Sequence, residues 1–280
     1  MEIVQDNKSY NRACKLIKKQ SIIYLDTEFL RDKTYWPILC LIQIKTARKT
    51  FIFDFIKKNN FDLIKLKKIF ENKEILKVIH SCKQDLEVLF LNFDTIIYPI
   101  FDTQIAYAQL TDMNSIGYTS LVKILLKKGV KKDQQISDWS RRPLSKTQLQ
   151  YAANDVKYLP KLYNLLSNQI IIKKKKKNFE DEINRLKFIK NIYKTEDSWK
   201  KIKIKKKSNI NINLLKIFSE WREKKAQILN LPRNWIITDK IIIKASKKIK
   251  INDFKEPSEN KRLNQNLKEF NLFLKSEKFI

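Results

Sequence analysis

Between Ser21 and Leu30 the chain reads SIIYLDTEFL, rich in β-branched and aromatic residues and free of Gly and Pro, which predicts a strand. Alternation with period two puts Ile22, Tyr24, Asp26 and Glu28 on one face and Ile23, Leu25, Thr27 and Phe29 on the other. Further strands are expected near 39–46, 50–55 and 76–81, and helices near 61–72, 83–92, 101–111 and 116–127. From Ser145, the segment SKTQLQYAANDVKYLPKLYNLL carries Leu149, Ala152 or Ala153, Val156, Leu159 and Leu162 at helical spacing. Ser145 suits an N-cap for that helix. Strands alternating with helices predict a mixed α/β layer arrangement.

Beyond residue 170 the pattern changes. IIIKKKKKNFEDEINRL contains five consecutive lysines, Lys173 to Lys177, which read as a solvated turn and not as a binding site. Helical spacing resumes through Tyr193, and DSWKKIKIKKKSNININ follows as a basic stretch. A second helical pattern runs from about Asn211 to Ile280. The expected organisation is an α/β domain over 1–170, a basic helical linker over 171–210 and a small all-helical domain over 211–280.

Three residue groups carry candidate chemistry. Asp26 and Glu28, two apart on a strand, project to one side and suit a shared metal ion. Asp85 begins a helix directly after the apolar LKVIHS, at a strand-to-helix turn. Tyr151 and Asp155 are one helical turn apart on one face. Each group alone has an ordinary reading: an exposed strand edge, a carboxylate favoured by a helix dipole, an aromatic ring packed in the core. Their order, their structural contexts and their separations, 57 residues from Glu28 to Asp85 and 70 from Asp85 to Asp155, favour a single site. Carboxylate oxygens hold Mg2+ and Mn2+, and two such ions can clamp both sides of an in-line phosphoryl displacement. The set is therefore a candidate for cutting phosphodiester bonds.

Composition narrows the alternatives. The only histidine is His80, which excludes H-E-x-x-H zinc sites and reads as a packed residue at a strand end. The only glycines, Gly117 and Gly129, cannot build a phosphate-binding loop of the G-x-x-x-x-G-K or G-x-G-x-x-G kind. Cys14, Cys40 and Cys82 are odd in number and widely spaced, as expected in a reducing cytosol. No signal-peptide pattern and no apolar run of 18 residues is present, so a soluble, cytoplasmic protein is expected. The net charge is +29, with 28 basic against 17 acidic residues over 1–170 and 31 against 13 over 171–280. Lysine outnumbers arginine 50 to 9, a bias that AT-rich codons would also produce. Either origin attracts polyphosphates and makes binding salt-dependent.

The segments LDTEFLRDKTYWPILCLIQI, IHSCKQDLEVLF, FDTQIAYAQL, SDWSRRPLSKTQLQYAANDVKYL and WREKKAQILNLPRNWIITDK resemble, in order and over nearly the whole chain, the ribonuclease D family of DEDD 3′-to-5′ exonucleases. The likeness is to the branch with Tyr in the third motif. It implies a ribonuclease H-like exonuclease domain followed by an HRDC-like helical domain. It also implies two divalent ions, Mg2+ or Mn2+, held by Asp26, Glu28, Asp85 and Asp155, with Tyr151 positioning the attacking water and helping to deprotonate it. The implied substrate is RNA, including tRNA precursors with 3′ extensions and other small structured RNAs, cut to nucleoside 5′-monophosphates by a monomer. Asp102 in FDTQ lies outside the four-acid pattern and reads as a helix N-cap or structural acid.

Within the helical part, Trp221, Arg222, Arg233, Asn234 and Trp235 are candidate stacking and phosphate contacts. The competing reading packs both tryptophans in a small core, and it is preferred for Trp221. Longer family members carry two such helical domains, so a single copy should weaken RNA grip or change preference. Two alternatives are a DNA 3′-to-5′ exonuclease and a nucleic-acid-binding module that has lost catalysis. The presence of all five site residues argues against the second.

Overall fold

The computed structural model describes residues 1–56, 61–130, 134, 137–187, 193–204, 209–247 and 261–276. They form two compact units. One comprises Met1–Leu30 and Ile38–Ile192, the other Arg31–Pro37 and Tyr193–Ile280.

The first unit is built on a six-stranded sheet. Its elements are β1 (Glu2–Val4), α1 (Asn7–Ile17), β2 (Ile22–Leu30), β3 (Ile38–Lys45), β4 (Thr50–Asp54), α2 (Leu63–Glu71), β5 (Leu76–Ile79), α3 (Lys83–Phe93), β6 (Ile100–Asp102), α4 (Thr103–Leu110), α5 (Tyr118–Leu126), α6 (Lys146–Lys157), α7 (Leu159–Ile172) and α8 (Lys176–Leu186). The strand order is β1-β4-β3-β2-β5-β6. β2, β3 and β4 form an antiparallel meander, while β1, β5 and β6 join in parallel.

The ladder register separates the two faces. Leu25 stands opposite Ile44, and Ile44 opposite Phe51; Thr27 stands opposite Ile42, and Ile42 opposite Phe53. Apart from Thr27, these side chains join the main core with Tyr10, Phe70, Val88 and Leu162. On the other face Asp26 is opposite Gln43, itself opposite Ile52, and Glu28 is opposite Leu41, itself opposite Asp54. Leu41 and Ile52 pack there with Trp139 and Ala152, and α6 crosses β2, β3 and β4. The pleat alone puts acids and apolar anchors on one surface.

Local chemistry sets the element ends. Asp6 and Ser9 form a capping box at α1, and Ser145 and Gln148 form one at α6. The helix expected to run unbroken from Ser145 instead breaks at Tyr158, with α7 starting at Leu159. Pro160 lacks the N–H that would continue the ladder and belongs in a first turn. The Tyr118 hydroxyl spans the break, donating to Asn154 O (2.8 Å) and accepting from Tyr158 N (3.0 Å). The lysine run turns the chain between α7 and α8, with Lys174 at φ 54°.

In the second unit a 3-10 turn (Thr195–Lys201) precedes α9 (Ile212–Leu229), α10 (Arg233–Ile236), α11 (Asp239–Ala245) and α12 (Lys261–Ser276). Leu215, Phe218, Ile241, Leu267 and Phe270 form its core. The connection 31–37 between β2 and β3 belongs to this unit. Tyr35 donates its hydroxyl to Glu223 (2.6 Å), and Trp36 donates its backbone N–H to Asn230 Oδ1 (3.0 Å) and its indole N–H to Gln227 O (3.2 Å).

The residues expected to be a linker over 171–210 are divided between the two units. Phe179 and Ile183 of α8 are buried in the first core, and Trp199 and Ile202 pack in the second. Apolar residues at helical spacing, not the lysines around them, decide where these segments go. Part of the basic stretch, 205–208, lies outside the described residues.

Asp102 is buried, and its side chain accepts from four backbone N–H groups: Ser81 (3.1 Å), Cys82 (2.8 Å), Gln104 (2.7 Å) and Ile105 (3.2 Å). It caps α4 and pins the turn leading into α3, where Ser81 holds φ 57°. Replacing it by Ala orphans all four donors and should cost about 3 kcal/mol or more. A guanidinium denaturation midpoint unchanged in Asp102→Ala would refute this structural role.

Candidate active site

Asp26 and Glu28 reach the site from β2, as strand alternation requires. Asp155 comes from α6, which lies across the same face of the sheet. Each of the three places a carboxylate oxygen within 4.8 Å of the others. Asp85, in the first turn of α3, lines the same pocket, a cavity of about 470 Å³ bordered also by Tyr151, Trp139 and His80. Its Oδ1 accepts a 2.5 Å hydrogen bond from the Thr27 hydroxyl. Thr27 was expected only on the opposite face, and there it reaches the helix that brings the fourth acid.

Burial, ahead of neighbouring charge, perturbs every acid in the group. Burial, and then the charges of Asp85, Asp155 and Glu28, push Asp26 well above the usual carboxylate range. Burial, Asp155 and Asp85 do the same to Glu28. Burial lifts Asp85 to about 7 against the hydrogen bond from Thr27. It lifts Asp155 to about 7 as well, with the Tyr151 hydroxyl opposing and Asp85 adding to the shift. Burial and the charges of Asp155, Glu28 and Asp26 raise the Tyr151 phenol.

Among the described residues no Lys or Arg forms an ion pair with any of the four carboxylates. Mutually repelling carboxylates lacking an organic cation form a hard oxygen donor set, which fits divalent ions of the Mg2+ or Mn2+ kind. His80 offers no ligand. Its Nε2 donates to Ile116 O (3.0 Å), its Nδ1 shares a hydrogen bond with Thr103 (2.8 Å), and burial pulls its pKa down.

Comparison with known proteins agrees with this geometry. A family model described as 3′-5′ exonuclease matches residues 1–171. Ribonuclease D of Bartonella henselae is 35% identical over 279 residues, covering 97% of this chain and 67% of that protein. The chain belongs to the ribonuclease D family of 3′-5′ exonucleases. Its first unit has the ribonuclease H-like fold of that family. The crystal structure of Escherichia coli RNase D, an exoribonuclease involved in structured RNA processing, superposes with a TM-score of 0.78 at 26% identity over 88% of this chain and 65% of that one. Brucella melitensis NrnC, solved with bound Mg2+, gives a TM-score of 0.54 at 26% identity over 68% of this chain and 90% of that one. The chain spans about three fifths to two thirds of the length of the curated ribonuclease D relatives it matches.

The helical unit of this ribonuclease D-family chain treats the expected RNA contacts unequally. Arg222 is buried, and its Nη1 donates to Asp239 Oδ1 (2.7 Å) and Ile237 O (3.1 Å). That corrects its assignment as an RNA contact, because the side chain is buried inside the unit and joins α9 to α11. Trp221 packs against Phe270 and Phe273, the core position preferred for it. Arg233 is partly exposed, 3.6 Å from Glu223 Oε2, and Trp235 is 42% exposed.

The raised carboxylates fix the sign of a stability effect. A carboxyl near 7 in the folded chain and near its ordinary value of about 4 when unfolded keeps its proton on folding between these values. Folding stability therefore falls as pH rises through that window, and the loss is complete above 7. In EDTA, Asp155→Asn should exceed wild type in unfolding free energy by roughly 1–3 kcal/mol at pH 8, and by much less at pH 5. Equal differences at the two pH values, measured by chemical denaturation, would remove the electrostatic account.

Proposed function

We propose that the chain is a metal-dependent 3′-5′ exoribonuclease that trims the 3′ ends of tRNA precursors and other small structured RNAs, releasing nucleoside 5′-monophosphates. The observation that carries this reading is the meeting of Asp26, Glu28 and Asp155 within 4.8 Å, with Asp85 in the same pocket. These four residues would hold two divalent ions. When bound, the ions neutralise charge on the scissile phosphate and favour ionisation of a water nucleophile.

The protein's own groups supply orientation. Tyr151, beside Asp155, offers a fixed hydroxyl to aim the attacking water and to help deprotonate it. Thr27 sets the direction of Asp85. Arg233 and Trp235 are proposed RNA contacts in the helical unit, which we read as HRDC-like. We further propose a cytoplasmic monomer. Among the described residues no helix is long and apolar enough to cross a membrane, and Cys14, Cys40 and Cys82 are unpaired thiols.

A 5′-labelled tRNA with a 3′ extension, incubated with Mg2+, Mn2+ or EDTA, should shorten one nucleotide at a time only with metal. Asp26→Ala should abolish the ladder, and a DNA oligonucleotide of matched sequence should be cut more slowly. Intact RNA in both metals would end the exonuclease reading, and faster loss of the DNA would reassign the substrate. Thr27→Val keeps the side chain's shape but removes the donor to Asp85. Its Mn2+ affinity by titration calorimetry should fall about 10-fold, and wild-type affinity would show that Thr27 has no such role.

A further inference from the structure

Asp54, at the end of β4, is fully buried. Its carboxylate receives Arg142 Nε (2.7 Å) and Nη2 (2.6 Å) as a two-pronged pair, together with the Ile56 N–H (3.0 Å). The remaining prong of Arg142, Nη1, turns back to Trp139 O (2.7 Å) and Arg141 O (2.9 Å). One guanidinium thus ties the segment 139–142 to the sheet. The preceding residues are tied to α6 instead, since Gln148 Nε2 donates to Asp138 O (3.3 Å) and Ser137 Oγ (3.4 Å).

Between these ties sits Trp139, 2% exposed. It packs on Leu41, Ile52 and Ala152, and its ring centroid lies 5.9 Å from that of Tyr151. The phenol that borders the acids thus packs against a buried indole, and the backbone carbonyl of that tryptophan is held by the guanidinium of the ion pair. A planar two-pronged pair fixes direction as well as distance, and a buried ring packed against Leu41, Ile52 and Ala152 cannot take another rotamer without opening a cavity on that side.

We propose that the Asp54–Arg142 ion pair is a positioning device for Tyr151, acting through Trp139. It touches neither substrate nor metal, and it holds the phenol's hydroxyl over the carboxylates. The inference rests on the proposed role of Tyr151 in exonuclease action.

The test uses Arg142→Lys, which keeps the charge but loses the fork, in wild-type and Tyr151→Phe backgrounds, with single-nucleotide release from RNA as the readout. With the hydroxyl present, Arg142→Lys should lower kcat about 10- to 100-fold with KM and Mn2+ affinity little changed. In the Tyr151→Phe background, where no hydroxyl remains to be misplaced, the further loss should be less than about 2-fold, a strong non-additivity. Equal losses in both backgrounds would make the pair merely structural and overturn the proposal. If Arg142→Lys does not fold, Trp139→Phe serves in the same cycle.

A 3-fluorotyrosine at position 151 reports independently of activity. Its 19F line should be single and sharp in the otherwise wild-type chain and broadened or split by Arg142→Lys. An unaffected line would overturn the proposal. Should the wild-type chain cut no RNA, the exonuclease reading falls while the 19F line still decides whether the pair orders the ring.

Discussion

Four carboxylates share one pocket and repel one another, and much of the first unit serves to keep them there. Two are fixed by strand alternation on β2, one by the helix that crosses the same face, and one by a helix reached through a tight turn. Hydrophobic contacts of α6 with Leu41 and Ile52, and the Asp102 cap that pins the turn into α3, supply the restraint. The raised carboxyls follow from burial first and mutual repulsion second, and protons or bound cations relieve both. Stability in the metal-free chain and readiness to take up metal are thus opposed consequences of one arrangement.

The five residues at the pocket were legible because each motif sits on an element whose periodicity shows its face. Period two places Asp26 with Glu28, and period 3.6 places Tyr151 with Asp155, before any tertiary contact is known. Four central strands and most helices of the first unit followed from the same patterns. The short strands β1 and β6 did not, since three residues are too few to show alternation. α1 carried a signal in the Asp6 to Ser9 capping box, yet no element was expected before Ser21.

Tertiary relations account for what sequence reading missed. Thr27 was placed correctly by its pleat, yet nothing local reveals that Asp85 arrives within reach of it. Arg222 looked like a free cation in a basic, aromatic stretch, while its partners, Asp239 and the carbonyl of Ile237, lie 17 and 15 residues away. Asp54 and Arg142 are 88 residues apart and meet only because α6 folds back over the meander. Arg142 and Trp139 did stand in the family-like segment SDWSRRPL. Their presence beside the Tyr151 motif was the one local hint that this stretch supports the site.

The connection 31–37 makes the second unit discontinuous in sequence. Two aromatic residues from the hairpin that carries Asp26 and Glu28 pack with Tyr193 and hydrogen-bond to Glu223 and Gln227. A chain shortened at residue 192 would leave Tyr35 and Trp36 without their partners, as an exposed greasy loop seven residues from a candidate metal ligand. Lineages or engineers that discard the helical part would therefore have to rewrite that loop as well. The chain passes from one unit to the other three times, and gain or loss of the second should leave its mark between β2 and β3.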